Sequence, residues 1–414
     1  MWKDTATKID RRRALVWRVV LLLAVLILVL AAYLYGRSQS LAGLSAEDEE
    51  SVALYAEALR EVREDYVDKE AVDPEEQTYG AIEGMLESLD DEGHTRFLTP
   101  EEIEKNREGL SSTYVGIGVQ LEDKDDEVVV SSPIDGSPAK EAGIQPGDVL
   151  VAVDGESVQE EDVKGISERV RGPEGSEVEL TVLRDGEERE FTVERAEVEV
   201  PAATWNLVPG TDEAHLRLTS FSENSAEKLR DAISEAREAG AERFVLDLRN
   251  NGGGLVGQAE EIAAQFLPAG SEIYIRRDAD GEEEERFVPD DNEPLNDPLV
   301  VLVNEGSASS AEILAGALRD NGRAKVVGET TFGTGTVLEE QVLSDGSAIL
   351  LGIAEWLTPN GDFIRGSGIE PDVEAVLEEE QEPRTPGETE NLSKEEIFAE
   401  DDQLERALEV LQEE

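Results

Sequence analysis

"VLVNEGSASSAEILAGALRDNGRAKVVG", residues 301–328, runs from a short apolar strand through a Gly-Ser turn into an amphipathic helix and on to a second apolar run. Strand, helix and strand at this spacing predict a sheet with parallel strands covered by helices. The alternation extends outward: "RFVLDLRNN" (243–251) leads into "LVGQAEEIAAQFL" (255–267), and "AKVVGE" (324–329) follows the quoted helix. An α/β core is therefore expected over residues 196–376. A serine at such a turn stands at the sheet edge, where the first N–H groups of the helix point at whatever binds. Those donors are what an acyl-transfer oxyanion needs. Serine is also a preferred N-cap, so spacing alone leaves a purely structural use open.

Three glycines, Gly252 to Gly254, follow the strand in "VLDLRNNGGGLVG". They permit positive φ and close backbone approach, either as a plain turn or as the other half of an oxyanion site. A phosphate-binding use has little support, because neither GxxxxGK[ST] nor GxGxxG with its acidic partner is present.

Upstream, the period differs. "ESVALYAEALREVREDYV" (50–67) and "TYGAIEGMLESLDD" (78–91) place apolar residues at three- and four-residue intervals, and "TPEEIEKNREGL" opens with Thr99 as a cap before Pro100. A helical segment is expected over 45–111. Over 112–195 the period becomes two, in "VGIGVQL", "EVVVSSP", "DVLVAVDG" and "EVELTVLRDGEEREFTVERA", with a short helix at "SPAKEAG". This is a small, mostly β module. Residues 377–414 are acidic and contain proline before ending in "EDDQLERALEVLQEE", which reads as a solvated linker and a terminal helix.

The charge is strongly one-sided: 97 acidic against 37 basic residues give a formal net charge of -60. A nucleic-acid partner would be repelled, and acidic surfaces of this kind serve solvation at high ionic strength. The chain has no cysteine, which excludes disulfides and thiolate chemistry, and only His94 and His215 supply imidazole. At the amino terminus, basic residues in 1–15 precede an uncharged run, Val19 to Gly36. As a helix it would extend about 27 Å, close to the bilayer's hydrocarbon thickness. A transmembrane anchor over 16–36 is expected, with the bulk of the chain extracytoplasmic; a cleavable signal peptide is the alternative.

Four blocks, "LDLRNNGGG", "NEGSASSAEI", "GETTFGTGTV" and "WLTPNGDFIRGSGIEPDV", resemble the signature segments of the carboxyl-terminal processing peptidases, or tail-specific proteases, of the S41 serine-protease family. "SPAKEAGIQPGDVLVAVDG" is similar to a PDZ domain, and the resemblance runs in order from about residue 48 to 376. It implies an S41-type α/β core interrupted by an inserted PDZ module, preceded by a helical segment and the anchor. It also implies an endopeptidase that feels for the free carboxyl terminus of a polypeptide and cleaves nearby, with no cofactor and no metal. Ser309 matches the nucleophile, Ser310 and Gly253 match the oxyanion donors, and Gly116, Ile117, Gly118 and Val119 match the carboxylate-binding loop.

One position departs from the family. Its general base is a lysine with a glutamine four residues later, and this chain has Thr334 and Leu338 there. Two readings follow. His94, in "LDDEGHTRFL", resembles a histidine segment of other S41 branches and would serve as base, with Asp91 or Glu92 to orient it; Lys325, at the start of a strand, is a weaker alternative. Otherwise the chain is a pseudoprotease, a peptide-binding scaffold that has lost its base.

Overall fold

All five residues of the strand Leu299–Val303 are buried, and that fixes the architecture. Successive strand residues face opposite sides of a sheet, so a wholly buried strand needs a cover on both faces. Leu299, Val301 and Val303 join one core with Leu216 and Leu246, under the helices Ser225–Glu238, Val256–Phe266 and Ser310–Asp320. Val300 and Leu302 join a second core with Val245 and Val327.

The structure is a computed structural model describing residues 45–413 apart from 90, 92–93, 125–126, 135, 160, 185, 291, 378–380, 382 and 390–391. The central sheet has the order Ala203–Leu207, Glu213–Leu218, Arg243–Asp247, Leu299–Val303, Lys325–Gly328, Val373–Glu374. The first pair is antiparallel and every later pair is parallel, as the strand-helix alternation predicts.

The second face is closed by the carboxyl-terminal segment. Leu404, Ala407, Leu408, Val410 and Leu411 of the helix Asp402–Glu413 and Ile397 before it are buried against Val245, Val300, Leu302 and Val327. Acidic composition suggests a solvated tail, but the apolar residues of 402–413 fall on one helical stripe that the charged residues do not interrupt. A buried ion pair pins the same segment. Arg249, fully buried, bonds Asp247 at 2.8 and 3.0 Å and Asp401 at 2.8 and 2.9 Å. Burial alone would raise the Asp247 pKa, but Arg249 and the hydrogen bond from His215 outweigh it and hold the carboxyl far below its ordinary range.

The mostly β module is a sheet ordered Val119–Lys124, Glu127–Pro133, Val149–Val153, Glu177–Arg184, Glu187–Glu194, with the helices Pro138–Ala142 and Val163–Val170. It has its own core around Ile117, Val130, Ile166 and Leu180. The chain enters it through Thr113–Gly116 and leaves through Ala196–Glu199, which pair antiparallel. Upstream of the module, Arg96–Leu98 pairs with Ala348, Ile349 and Leu350 of the long strand Ala348–Leu357. The core is therefore built from both sides of the insertion, as expected. Thr99 and Glu102 form reciprocal side chain to backbone bonds that start the helix Pro100–Leu110. Earlier still, Ala46–Asp65 is a helix opened by a capping box at Ser45.

One element of the expected fold is corrected. Among the described residues no helix is long and apolar enough to cross a membrane. The anchor expected over 16–36 lies outside them, and no transmembrane helix forms part of the described architecture.

The packing of the last helix makes a direct prediction. Leu408, 1% exposed, leaves a cavity beneath the sheet when truncated, so Leu408→Ala should cost about 2–5 kcal/mol in denaturant unfolding. Val342→Ala, on an exposed strand position, should stay within about 0.5 kcal/mol of the parent.

Candidate active site

Ser309 follows the end of the strand Leu299–Val303 and precedes the helix Ser310–Asp320, with φ 54 and ψ -117. A non-glycine residue there carries strain of order 1–3 kcal/mol and persists only where its surroundings hold it. The holding bonds run to the neighbouring turn after Arg243–Asp247. Ala308 N–H donates to Asn251 O at 2.9 Å, Ser307 Oγ to Leu248 O at 2.8 Å and Ser310 Oγ to Gly254 O at 2.9 Å. Asn250 N–H donates to Asn304 Oδ1 at 2.8 Å. The serine turn and the glycine turn are laced into one unit.

Gly253 lies against the serine. With φ 93, a β-carbon placed on it would come within 2.8 Å of Ser309 Cβ and 2.9 Å of Ser310 N, so only glycine fits. Its N–H, however, donates to Asn251 Oδ1 at 2.9 Å. The donor expected at Gly253 is thus engaged inside its own turn. Ser310 is the first residue of its helix, where an N–H has no intrahelical partner.

The anchor of the site is Glu312, a fully buried carboxylate. Its Oε2 accepts Ser309 N–H and Thr334 N–H, both at 2.8 Å. Its Oε1 accepts Gly333 N–H at 2.7 Å and the Thr331 hydroxyl at 2.5 Å. One side chain thereby joins the serine turn to residues 331–334. Burial is the leading influence on its pKa and raises it, only partly offset by the bonds from Thr331, Gly333, Ser309 and Thr334. Sequence reading passed over this residue, although serine followed three positions later by glutamate is a capping-box pattern.

His94 is 6% exposed. Its Nδ1 stands 3.2 Å from Thr336 Oγ1 and 3.7 Å from Asp91 Oδ1. Its ring centroid lies 6.2 Å from that of Phe332, whose N–H donates to Ser307 O at 3.0 Å. Asp91 is fixed in turn, accepting the Thr95 hydroxyl at 2.7 Å and Arg365 Nη2 at 2.8 Å. Its burial pushes the pKa up, but the Thr95 bonds and the Arg365 guanidinium win, and the carboxyl sits below its usual value. Glu92 lies outside the described residues. Lys325 pairs with Asp372 and lies opposite Val300, three positions from the Val303 end that feeds the serine turn. That places it roughly 10 Å down the sheet, remote from the nucleophile. Thr334 is half-buried and Leu338 exposed, and neither supplies a basic group.

In the β module, Gly118 has φ 77, and a β-carbon there would meet Ser137 Cβ at 2.3 Å. Ser137 Oγ and Ile134 N–H both donate to Gly118 O, at 3.0 and 2.9 Å, and Ala139 N–H donates to Ile117 O at 2.8 Å. Gly116, Ile117 and Val119 line a small cavity beside the helix Val163–Val170. Among the described residues, the strand Val119–Lys124 is a sheet edge with one partner, the arrangement that strand addition by a peptide needs.

Comparison with known proteins matches these parts to a family. The profile of Peptidase family S41 fits residues 212–375 and that of the PDZ domain fits residues 129–184. The chain is 35% identical over 369 residues to the carboxy-terminal processing protease CtpA of Bacillus subtilis (strain 168), covering 89% of this chain and 78% of that protein. It is 34% identical over 348 residues to a protein of Staphylococcus aureus (strain N315) named "Probable CtpA-like serine protease", covering 84% and 69%. Among solved structures it is similar to the photosystem II D1 C-terminal processing protease, with 32% identity and a TM-score of 0.47 over 80% of this chain and 94% of that one.

Glu312→Gln isolates the anchor. A glutamine amide has one acceptor oxygen, so two of the four donors lose their partner. The variant should lose about 2–4 kcal/mol of stability in denaturant unfolding near neutral pH. The pH dependence has a fixed sign. A folded-state pKa raised above 4.5 gives a contribution fully present below that value and lost as pH rises through the raised one. Stability measured from pH 4 upward should therefore decline less in the variant than in the parent over that window.

Proposed function

Given that the chain belongs to the carboxyl-terminal processing proteases of peptidase family S41, we propose that it is a serine endopeptidase with His94 in the role of the family's lysine. Its PDZ module would deliver polypeptides by their free carboxyl termini. The observation that carries this reading is the setting of His94: nearly buried, with Nδ1 held between Thr336 Oγ1 and Asp91. Its ring also stands beside Phe332, on the segment tied to the serine turn. A histidine confined at Nδ1 has its Nε2 held in one orientation, as a general base requires.

In this mechanism Ser309 Oγ attacks the scissile carbonyl carbon while its proton passes to His94 Nε2. The oxyanion is received by Ser310 N–H, and Gly253 N–H joins it by leaving Asn251 Oδ1. His94 then gives its proton to the departing amine, accepts one from the water that attacks the acyl-enzyme, and returns it to Ser309 Oγ as the acyl–oxygen bond breaks. The strain kept at Ser309 supports a catalytic use, since a turn needed only to start a helix can relax to an ordinary N-cap conformation.

The second reading, a peptide-binding scaffold without proteolysis, draws on Thr334 and Leu338 at the family's lysine and glutamine positions. It also draws on Gly253, whose N–H is already given to Asn251. Cleavage of an unfolded protein substrate separates the two readings. Ser309→Ala should abolish turnover, and His94→Ala should reduce kcat by about 10²–10⁴. Thr334→Lys with Leu338→Gln should not be required for activity. Turnover that appears only in that double variant would establish the scaffold.

A further inference from the structure

The carboxylate loop of the β module is not open. Tyr114, two residues before Gly116, turns its ring back over the loop. A β-carbon on Gly116 would meet Tyr114 Cε2 at 2.5 Å, so the missing side chain at 116 is what lets the ring lie there. Burial, ahead of the opposing effects of Arg171 and the Gly118 backbone, pushes the phenol's pKa up. On its other side the ring is covered by the Arg171 guanidinium, 5.2 Å from its centroid. What remains of the groove is a cavity of ≈ 70 Å³ whose lining includes Tyr114, Ile117, Val119, Leu121 and Val170. Ligand sites are normally several hundred Å³, so the space left is too small for the terminal residue of a peptide.

We propose that this groove is self-occluded: the Tyr114 ring lies over the loop that would receive a peptide's terminal carboxylate and leaves before a carboxyl terminus binds. The inference rests on the proposed peptide-binding role of the module. A terminal carboxylate is a charged acceptor and forms strong bonds with backbone N–H groups. It must nevertheless displace a ring that is already in place at an effective concentration no free peptide reaches. Apparent affinity is then the intrinsic affinity reduced by the fraction of molecules whose ring has left. Tyr114 is also part of Thr113–Gly116, the strand by which the chain enters the module, paired with the exit strand Ala196–Glu199. Ring displacement therefore acts on the same segment that joins the module to the core.

The test is fluorescence anisotropy with the full chain in a Ser309→Ala background. The probes are a fluorescein-labelled peptide ending in a free carboxylate and the same peptide amidated. Tyr114→Ala opens the groove and should tighten binding of the free-carboxylate peptide by roughly 3–10-fold. Tyr114→Phe keeps the ring and should bind within about twofold of the parent. The amidated peptide should remain the weaker binder in each protein. Equal or weaker binding of the free-carboxylate peptide by Tyr114→Ala, with its preference over the amidated peptide intact, or a gain in Tyr114→Phe as large as in Tyr114→Ala, would overturn the occlusion by the ring and leave the groove standing. No preference for the free carboxylate in any of the three proteins would overturn the peptide-binding reading and the occlusion with it.

Discussion

Glu312 sets the relation between the two halves of the site. A carboxylate removed from water is costly unless its lone pairs are met by donors, and here Ser309, Thr331, Gly333 and Thr334 meet them. The serine turn and residues 331–334 are thus located by the same two oxygen atoms. The arrangement does not depend on what residue 334 is, because the bond there is made by its backbone N–H. Exchange of the side chain at 334 therefore keeps the backbone bond to Glu312 available.

A second buried charge does comparable work on the other face of the sheet. Arg249 stands two residues beyond the strand Arg243–Asp247 and directly before the Asn250–Gly254 turn, held by Asp247 behind and Asp401 from the carboxyl-terminal segment. Asp401 also accepts Leu404 N–H at 2.8 Å and so starts the last helix. The glycine turn therefore rests on a residue 152 positions further along the chain, and its shape is a property of the whole core.

Most of the fold was legible in the sequence because its periods are clean. The buried run Leu299–Val303, the strand-helix alternation and the two-residue period of the module each have one physical interpretation, and the structure follows them. The terminal helix was legible, but its packing against the sheet was not, since net charge says nothing about how apolar residues are distributed around a helix. Leu404, Leu408 and Leu411 lie among acids in the sequence and together in space. Nor was the strand Arg96–Leu98 anticipated: it is three residues long, and its pairing with Ala348–Leu350 spans about 250 positions. In the site, the serine and glycine turns announce themselves by residue type. Thr336 and Arg365, which set the surroundings of His94, are ordinary residues whose position only the tertiary fold supplies.

The closure of the second sheet face by residues 397–411 has a consequence for biosynthesis. Val245, Val300, Leu302 and Val327 are made before their cover, so the nascent chain carries an exposed apolar sheet face and an Arg249 short of one counter-ion until residues 397–411 have been made. The glycine turn beside the serine takes its final support last. Loss of residues 397–411 would thus be felt both on the sheet face and at the turn beside the serine.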